Sequence, residues 1–270
     1  MLAVVVVLLV GAGVGALFAW SAKSPSASGP ASGSSGDLEV AQQINITVGD
    51  IPSTWSVDSS PSGPLGAFFS SRGAAPSLSP SQRHEVAQVA AGYEQCMGIP
   101  AASDRIFGGA TSTPTAEANS PVFAAPTAGP ISETGSQTEV FASSENVAAD
   151  VAQVSSPRFP LCFGAALGKE FLEGAQGANG GVTLGTPQVQ PLSLPQTPGV
   201  HAVGIDLTIP ITSAAGTVPT QFGFVLTGGG RVEATLITFA AATAFAPSLT
   251  TGLTTALEHN IATRGTSTGA

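Results

Sequence analysis

The sequence predicts an α+β domain, an antiparallel sheet covered by helices and held by one disulfide, and three observations predict it. In the last third, Val203, Ile205, Leu207, Ile209 and Ile211 occupy every second position. Ala202, Gly204, Asp206, Thr208 and Pro210 stand between them, the pattern of a half-buried antiparallel strand. Upstream, apolar residues recur at helical steps behind clear start signals, and two of these helices carry the only cysteines, Cys96 and Cys162. Ahead of everything, Met1 to Trp20 contain no charged side chain, and a Ser/Gly/Pro stretch follows them to Asp37.

That opening segment reads as a membrane-entry helix followed by a spacer. At about 1.5 Å per residue, twenty helical residues reach roughly 30 Å, the thickness of a bilayer's hydrocarbon core. No basic residue precedes the run, and Trp20 and Leu17 are poor residues three positions before a cut, so a retained signal-anchor is favoured over a cleaved signal peptide. The reading is a transmembrane segment over 1–22, a flexible linker over 23–37, an extracytoplasmic domain over 38–264 and a disordered tail over 265–270. The protein is then expected at the cell membrane, single-pass, with its C-terminal domain outside, or secreted if the signal is cleaved. Val4 to Val10 followed by Gly11, Gly13 and Ala16 mimics a dinucleotide fingerprint, but no helix and second strand follow, as that motif requires. Gly11 and Gly15 have the G-x-x-x-G spacing that lets two membrane helices approach, a route to a weak dimer; the plainer reading is that small residues are common there.

Charge excludes several classes of partner. Only 9% of the 270 residues are charged and the formal net charge is −9. Removing residues 1–37 takes away one Lys and one Asp and leaves it unchanged. An acidic domain without a basic stripe cannot neutralise phosphates, so neither nucleic acid nor anionic headgroups are expected partners.

The elements follow in order. Ile44, Ile46 and Val48 alternate and suggest an opening strand over Ile44 to Ile51, leading to Pro52 and Trp55, with a Ser/Pro/Gly loop over 56–78. Ser79 caps a helix, Pro80 takes its first position and Gln82 completes a capping box. Val86, Val89, Tyr93 and Cys96 then place Cys96 on the buried face, and Gly98 and Pro100 end the helix. Residues 99–136 read as loop with a short strand near Val122 and Phe123, and Thr138 to Ala142 as a strand. Ser143 or Ser144 caps a helix bearing Val147, Val151 and Val154. A further helix starts near Pro157 or Pro160 and carries Cys162, Phe163, Leu167 and Phe171. Phe222, Phe224 and Leu226 form the next strand, Gly228 to Gly230 a hairpin turn, and Arg231 to Phe239 the return. A helix with Leu249, Leu253, Leu257 and Ile261 closes the domain.

Two cysteines in an exported chain predict one disulfide, Cys96 to Cys162, closing a loop that the chain-entropy model values at about 4 kcal/mol. Neither they nor the scattered His84, His201 and His259 have metal-ligand spacing, so no metal and no cofactor are expected. Gly265, Ser267 and Gly269 match a serine-hydrolase elbow, but only Ala270 remains for the helix and histidine that must follow. Glu170 and Glu173 beside Lys169 read as a solvated helix face rather than an acid-base pair. His201 reads as a histidine at the core edge and Asp206 as exposed on the face opposite the isoleucines. Trp55, Phe68 and Phe69 are the candidate apolar binding surface; the plainer reading packs them over the core edge. Asn45-Ile46-Thr47 is a formal glycosylation sequon.

Four segments carry a resemblance. ITVGDIPSTWSV, the helix end YEQCMGIP, the run SQTEVFASSENVAADVAQVSSPRFPLCFGAAL and the closing GFVLTGGGRVEATLITFA with its helix occur in the order seen in a family of uncharacterised actinobacterial secreted or membrane-anchored proteins. Asp50, Pro52 and Trp55 match that family's start, with Thr54 in place of the usual Gly, and Cys96-Met97-Gly98 matches its helix end. Such chains are similar to the extracellular sensor domains of mycobacterial serine/threonine kinases and, more distantly, to the PsbP-like α/β/α sandwich. The resemblance implies no catalytic residues, and no kinase domain is present. The expectation is a non-enzymatic sensor-like domain that binds a small apolar ligand or an envelope protein. Its rivals are an envelope scaffold without a small ligand and an extracellular hydrolase.

Overall fold

The structure is a computed structural model, and it describes residues 35–58, 65, 88, 91–99, 114–126, 131–166, 168, 183–214 and 216–265. The chain opens with α1 (Ser35–Ile44), a 3-10 turn (Val48–Asp50) and β1 (Ser56–Val57). Helical residues 91–97 form α2, followed by β2 (Ala116–Asn119), β3 (Phe123–Ala124), β4 (Ile131–Val140) and α3 (Ser144–Val154). After α4, helical residues 159–166, come β5 (Thr183–Leu184), β6 (Gln188–Pro191), β7 (His201–Ser213), β8 (Gly216–Gly229), β9 (Val232–Ala241) and α5 (Pro247–Arg264).

The strands make one antiparallel sheet in the order β1-β3-β4-β9-β8-β7-β5, with β2 also on β4 and β6 also on β7. Its centre is the meander that the alternation over 203–239 announces. Ile205 pairs with Phe224 and Leu207 with Phe222, and Phe224 in turn pairs with Ile237. Strand residues alternate between faces. Ile205, Leu207, Phe222, Phe224, Leu226, Ile237 and Phe239 therefore share one face, packed with Tyr93, Met97, Val154, Phe159, Cys162 and Phe163. On the other face Val225, Val232, Ala234 and Leu236 meet Ala41 and Ile44 of α1 and Leu253, Leu257 and Ile261 of α5. Helices thus lie against both faces.

Gly228 and Gly229 bring both helical layers close. A methyl group on Gly228 would stand 2.7 and 2.8 Å from the side chains of Val147 and Val151 in α3, and one on Gly229 2.9 Å from Ile261 in α5. The hairpin turn falls one residue later than the glycine run suggests, at Gly230 and Arg231, where Gly230 takes φ 56°.

Several expectations change. The opening strand is absent: the chain is helical through Ile44, and Val48, 70% exposed, lies in the 3-10 turn. There Asp50 accepts hydrogen bonds from the Thr47 N–H and hydroxyl at 2.8 Å each, which closes the turn and prevents extension. α1 also begins inside the stretch read as spacer. Asp37 holds it by a 2.8 Å ion pair with Arg231 and accepts the Thr115 hydroxyl at 2.7 Å. β4 is ten residues long rather than a short strand near Thr138, and β1, inside the expected 56–78 loop, β2, β5 and β6 are additional strands. The helix behind Ser143 is as expected, with Ser143 accepting the Glu145 N–H.

Candidate ligand-binding groove

α2 and α4 are joined by the Cys96–Cys162 disulfide, with Cα atoms 5.6 Å apart. Tyr93 and Met97 form the buried side of α2, whereas Cys96 is exposed, contrary to its expected burial; Cys162 is buried. The helix ends at Gly98, whose φ of 75° suits a residue without Cβ.

α4 sits on the sheet through a ring stack. Phe159 and Phe163 are stacked at 5.1 Å, and both meet Phe224, at 6.3 and 5.6 Å. Two glycines bring the flank of the helix down on β6 and its approach. A methyl group on Gly164 would lie 2.2 Å from Val189 Cγ2, and one on Gly168 2.8 Å from Pro187. Above this contact opens a groove of about 430 Å³ lined by Pro157, Pro160, Leu161, Gly164, Ala165, Pro187 and Val189. Leu161, 73% exposed, forms its rim. None of these lining side chains is ionisable or carries a hydroxyl. These side chains offer shape and apolar contact. The sequence signal for the groove was the Gly164–Gly168 spacing on an apolar helix, which pairs α4 with a partner but does not name β6.

The outer side of β6 shapes the rest of this flank. Leu192 N–H donates to Gly204 O at 2.8 Å, so in register Gln188 and Gln190 point their amides at β7 while Val189 and Pro191 point theirs outward. Pro191 has no N–H to offer.

A polar layer lies elsewhere on the disulfide face. Glu133, 4% exposed, accepts the Leu65 N–H at 2.9 Å. Burial pushes its carboxyl up to about 7, with the Leu65 hydrogen bond opposing and the Asp58 charge adding to the rise. Burial likewise raises the Tyr93 phenol, whose oxygen accepts a 3.0 Å hydrogen bond from Gln153 Nε2. On the opposite face Asp206 is half-buried rather than exposed, with its Oδ1 3.0 Å from where a methyl group on Gly223 would stand. Burial raises its carboxyl and a hydrogen bond with Gln221 opposes the rise. Gln221 in turn accepts the Phe245 N–H at 2.8 Å.

The other expected site residues disperse. Trp55 is half-buried and meets Phe245 edge-on at 5.8 Å, the core-edge alternative; Phe68 and Phe69 lie outside the described residues. His201, at the start of β7, and His259, on α5, are both exposed, so His201 does not join the core edge; His84 lies outside the described residues. So do Met1–Trp20 with Gly11 and Gly15, Glu170, Glu173 and Ser267. Among the described residues no group of three His, Cys, Asp or Glu could hold a metal, and no helix is long and apolar enough to cross a membrane.

The sequon residue Asn45 is a structural hub. It is buried, its Nδ2 donates to Ala41 O and Ala118 O at 3.2 and 2.9 Å, and its Oδ1 accepts the hydroxyls of Ser136 and Thr138 at 2.8 and 3.0 Å. A glycan cannot be attached there in the folded domain.

Comparison of the chain with protein-family models, curated proteins and solved structures returns no match.

Proposed function

We propose that this chain is a non-enzymatic, sensor-like extracytoplasmic protein, tethered to the cell membrane through Met1–Trp20, whose domain binds a small apolar ligand between α4 and β6. The groove carries the reading. Its volume lies within the range of roughly 300 to 1,000 Å³ usual for small-molecule sites, and it is walled by three prolines, Leu161 and Val189. Such a wall binds and orients but supplies no acid, base or nucleophile. Helices against both faces of an antiparallel sheet support the sandwich architecture. The exposed Leu161 favours one second reading, a scaffold that uses the same groove to hold an envelope protein.

One experiment separates the two. The full chain is purified from membranes and analysed by native mass spectrometry, and a photo-crosslinking residue is placed at 161. A small-molecule mass that is retained by the wild type and lost in Leu161→Asp supports the ligand site. A protein crosslinked at 161, with no bound small molecule, supports the scaffold. The absence of both signals overturns the groove as a binding site.

A further inference from the structure

The disulfide is asymmetric in a way that its stapling role does not require. Cys162 is buried in the first turns of α4, in the same apolar cluster as Phe159 and Phe163, whereas Cys96 is exposed on α2. The cation nearest along the chain stands at the C-terminal end of α2, beside Gly98. Arg158 is four residues before Cys162, and its Nη1 stands 3.3 Å from where a Cβ on Gly98 would be, two residues beyond Cys96. Gly98 leaves this position open to the guanidinium. Glu94, the neighbouring acid on α2, is on the buried side, away from the exposed sulfur.

From this we infer that the Cys96–Cys162 disulfide is an exchange site for an extracytoplasmic dithiol oxidoreductase, attacked at the Cys96 sulfur with Cys162 as the leaving group. The incoming thiolate bonds to Cys96 Sγ as the S–S bond breaks, and the electron pair leaves on Cys162. Exposure makes Cys96 the reachable sulfur, and the Arg158 guanidinium beside Gly98, two residues on, favours the approach of the incoming thiolate. The second thiol of the reductant then attacks its own bound sulfur and releases Cys96. The reductant leaves as a disulfide, two electrons have entered the protein, and its two thiol protons end on Cys96 and Cys162. No outside oxidant or metal is needed.

The fold is built to survive the step. α4 stays docked through the Phe159, Phe163 and Phe224 rings and through Gly164 on Val189, and α2 keeps the burial of Tyr93 and Met97 and the Gln153 hydrogen bond. What is lost is the covalent coupling between α2 and α4, the helix that forms one wall of the groove. A consequence for ligand affinity rests on the proposed binding role of the groove, and the choice of an extracytoplasmic reductant on the proposed location; the accessibility of the bond rests on neither.

The test uses the oxidised full chain in detergent and a CxxC oxidoreductase whose resolving cysteine is replaced by serine, so that the mixed disulfide is trapped. Peptide mapping is expected to find the adduct on Cys96 at least about tenfold over Cys162. With dithiothreitol, the reduction rate should rise linearly with thiolate concentration and exceed the global unfolding rate measured by pulse proteolysis. Arg158→Gln should slow it about threefold or more without moving the unfolding midpoint. An adduct on Cys162, or a rate that saturates at the unfolding rate, overturns the inference.

Discussion

Replacing Glu133 by Gln should make the domain more stable at alkaline pH and leave it unchanged near pH 4. Glu133 is 4% exposed on the disulfide face, and its carboxyl is pushed from an ordinary 4.5 to about 7. The folded state therefore holds a proton that the unfolded chain releases between those values, and stability falls as pH rises through that window. At about 1.4 kcal/mol for each unit of pKa difference, the deficit reaches about 3 kcal/mol by pH 8 and vanishes below pH 4.5. Gln keeps an oxygen for the Leu65 N–H, which Glu133 accepts at 2.9 Å, and cannot ionise. Any cost of fitting its NH₂ group is the same at every pH, so the observable is the change in the gap between variant and wild type. Urea unfolding followed by tryptophan fluorescence at pH 4 and pH 8 measures it. The wild type should lose roughly 3 kcal/mol relative to the variant across that interval. A gap that is constant with pH, or a variant that weakens relative to wild type at pH 8, would refute the argument that burial dominates the carboxyl.

Three further outcomes follow from contacts already described. Cys96→Ala should lower the unfolding free energy by about 2 to 5 kcal/mol under oxidising conditions and by far less in excess reductant, as read from denaturation curves. Gly228→Ala places a methyl group 2.7 and 2.8 Å from Val147 and Val151 and should cost about 1 to 3 kcal/mol, seen as a lower Tm. Asn45→Ala leaves two buried hydroxyls and two carbonyls without their shared partner and should cost about 2 to 4 kcal/mol, whereas treatment with glycosidase should leave the mass of the wild type unchanged.

The parts of the fold that were legible are those in which side-chain hydrophobicity repeats. Ile205 to Ile211 on β7, Phe222 to Leu226 on β8 and the Val147–Val151–Val154 stripe of α3 each declare a buried face by period alone. β4 declares nothing, because its core is Ser132, Glu133, Thr134, Ser136, Gln137 and Thr138, all buried. Its polar groups are satisfied by distant chain: Thr134 donates to Ile237 O, Ser136 to Asn45, and Glu133 receives Leu65. No local rule reports such partners. α1 was hidden by the opposite fault, since Ile44, Ile46 and Val48 alternate by chance while the chain bends through the Thr47–Asp50 turn. The disulfide was legible from cysteine count and helix assignment, but the exposure of Cys96 was not, because α2 turns Tyr93 and Met97 inward. The groove joins residues 157–165 to 187–189, two segments that no periodicity pairs.

Pro191 interrupts the row of backbone donors on the outer side of β6. A sheet edge with a regular row of free amides is a template on which a neighbour's strand can grow, and a surface that holds chains at high local density multiplies those encounters. Here the outward row consists of Val189 and a residue without an N–H. Two domains brought edge to edge can form only an interrupted ladder at this point. Crowding therefore favours side-chain contacts, which separate readily, over sheet continuation, which does not.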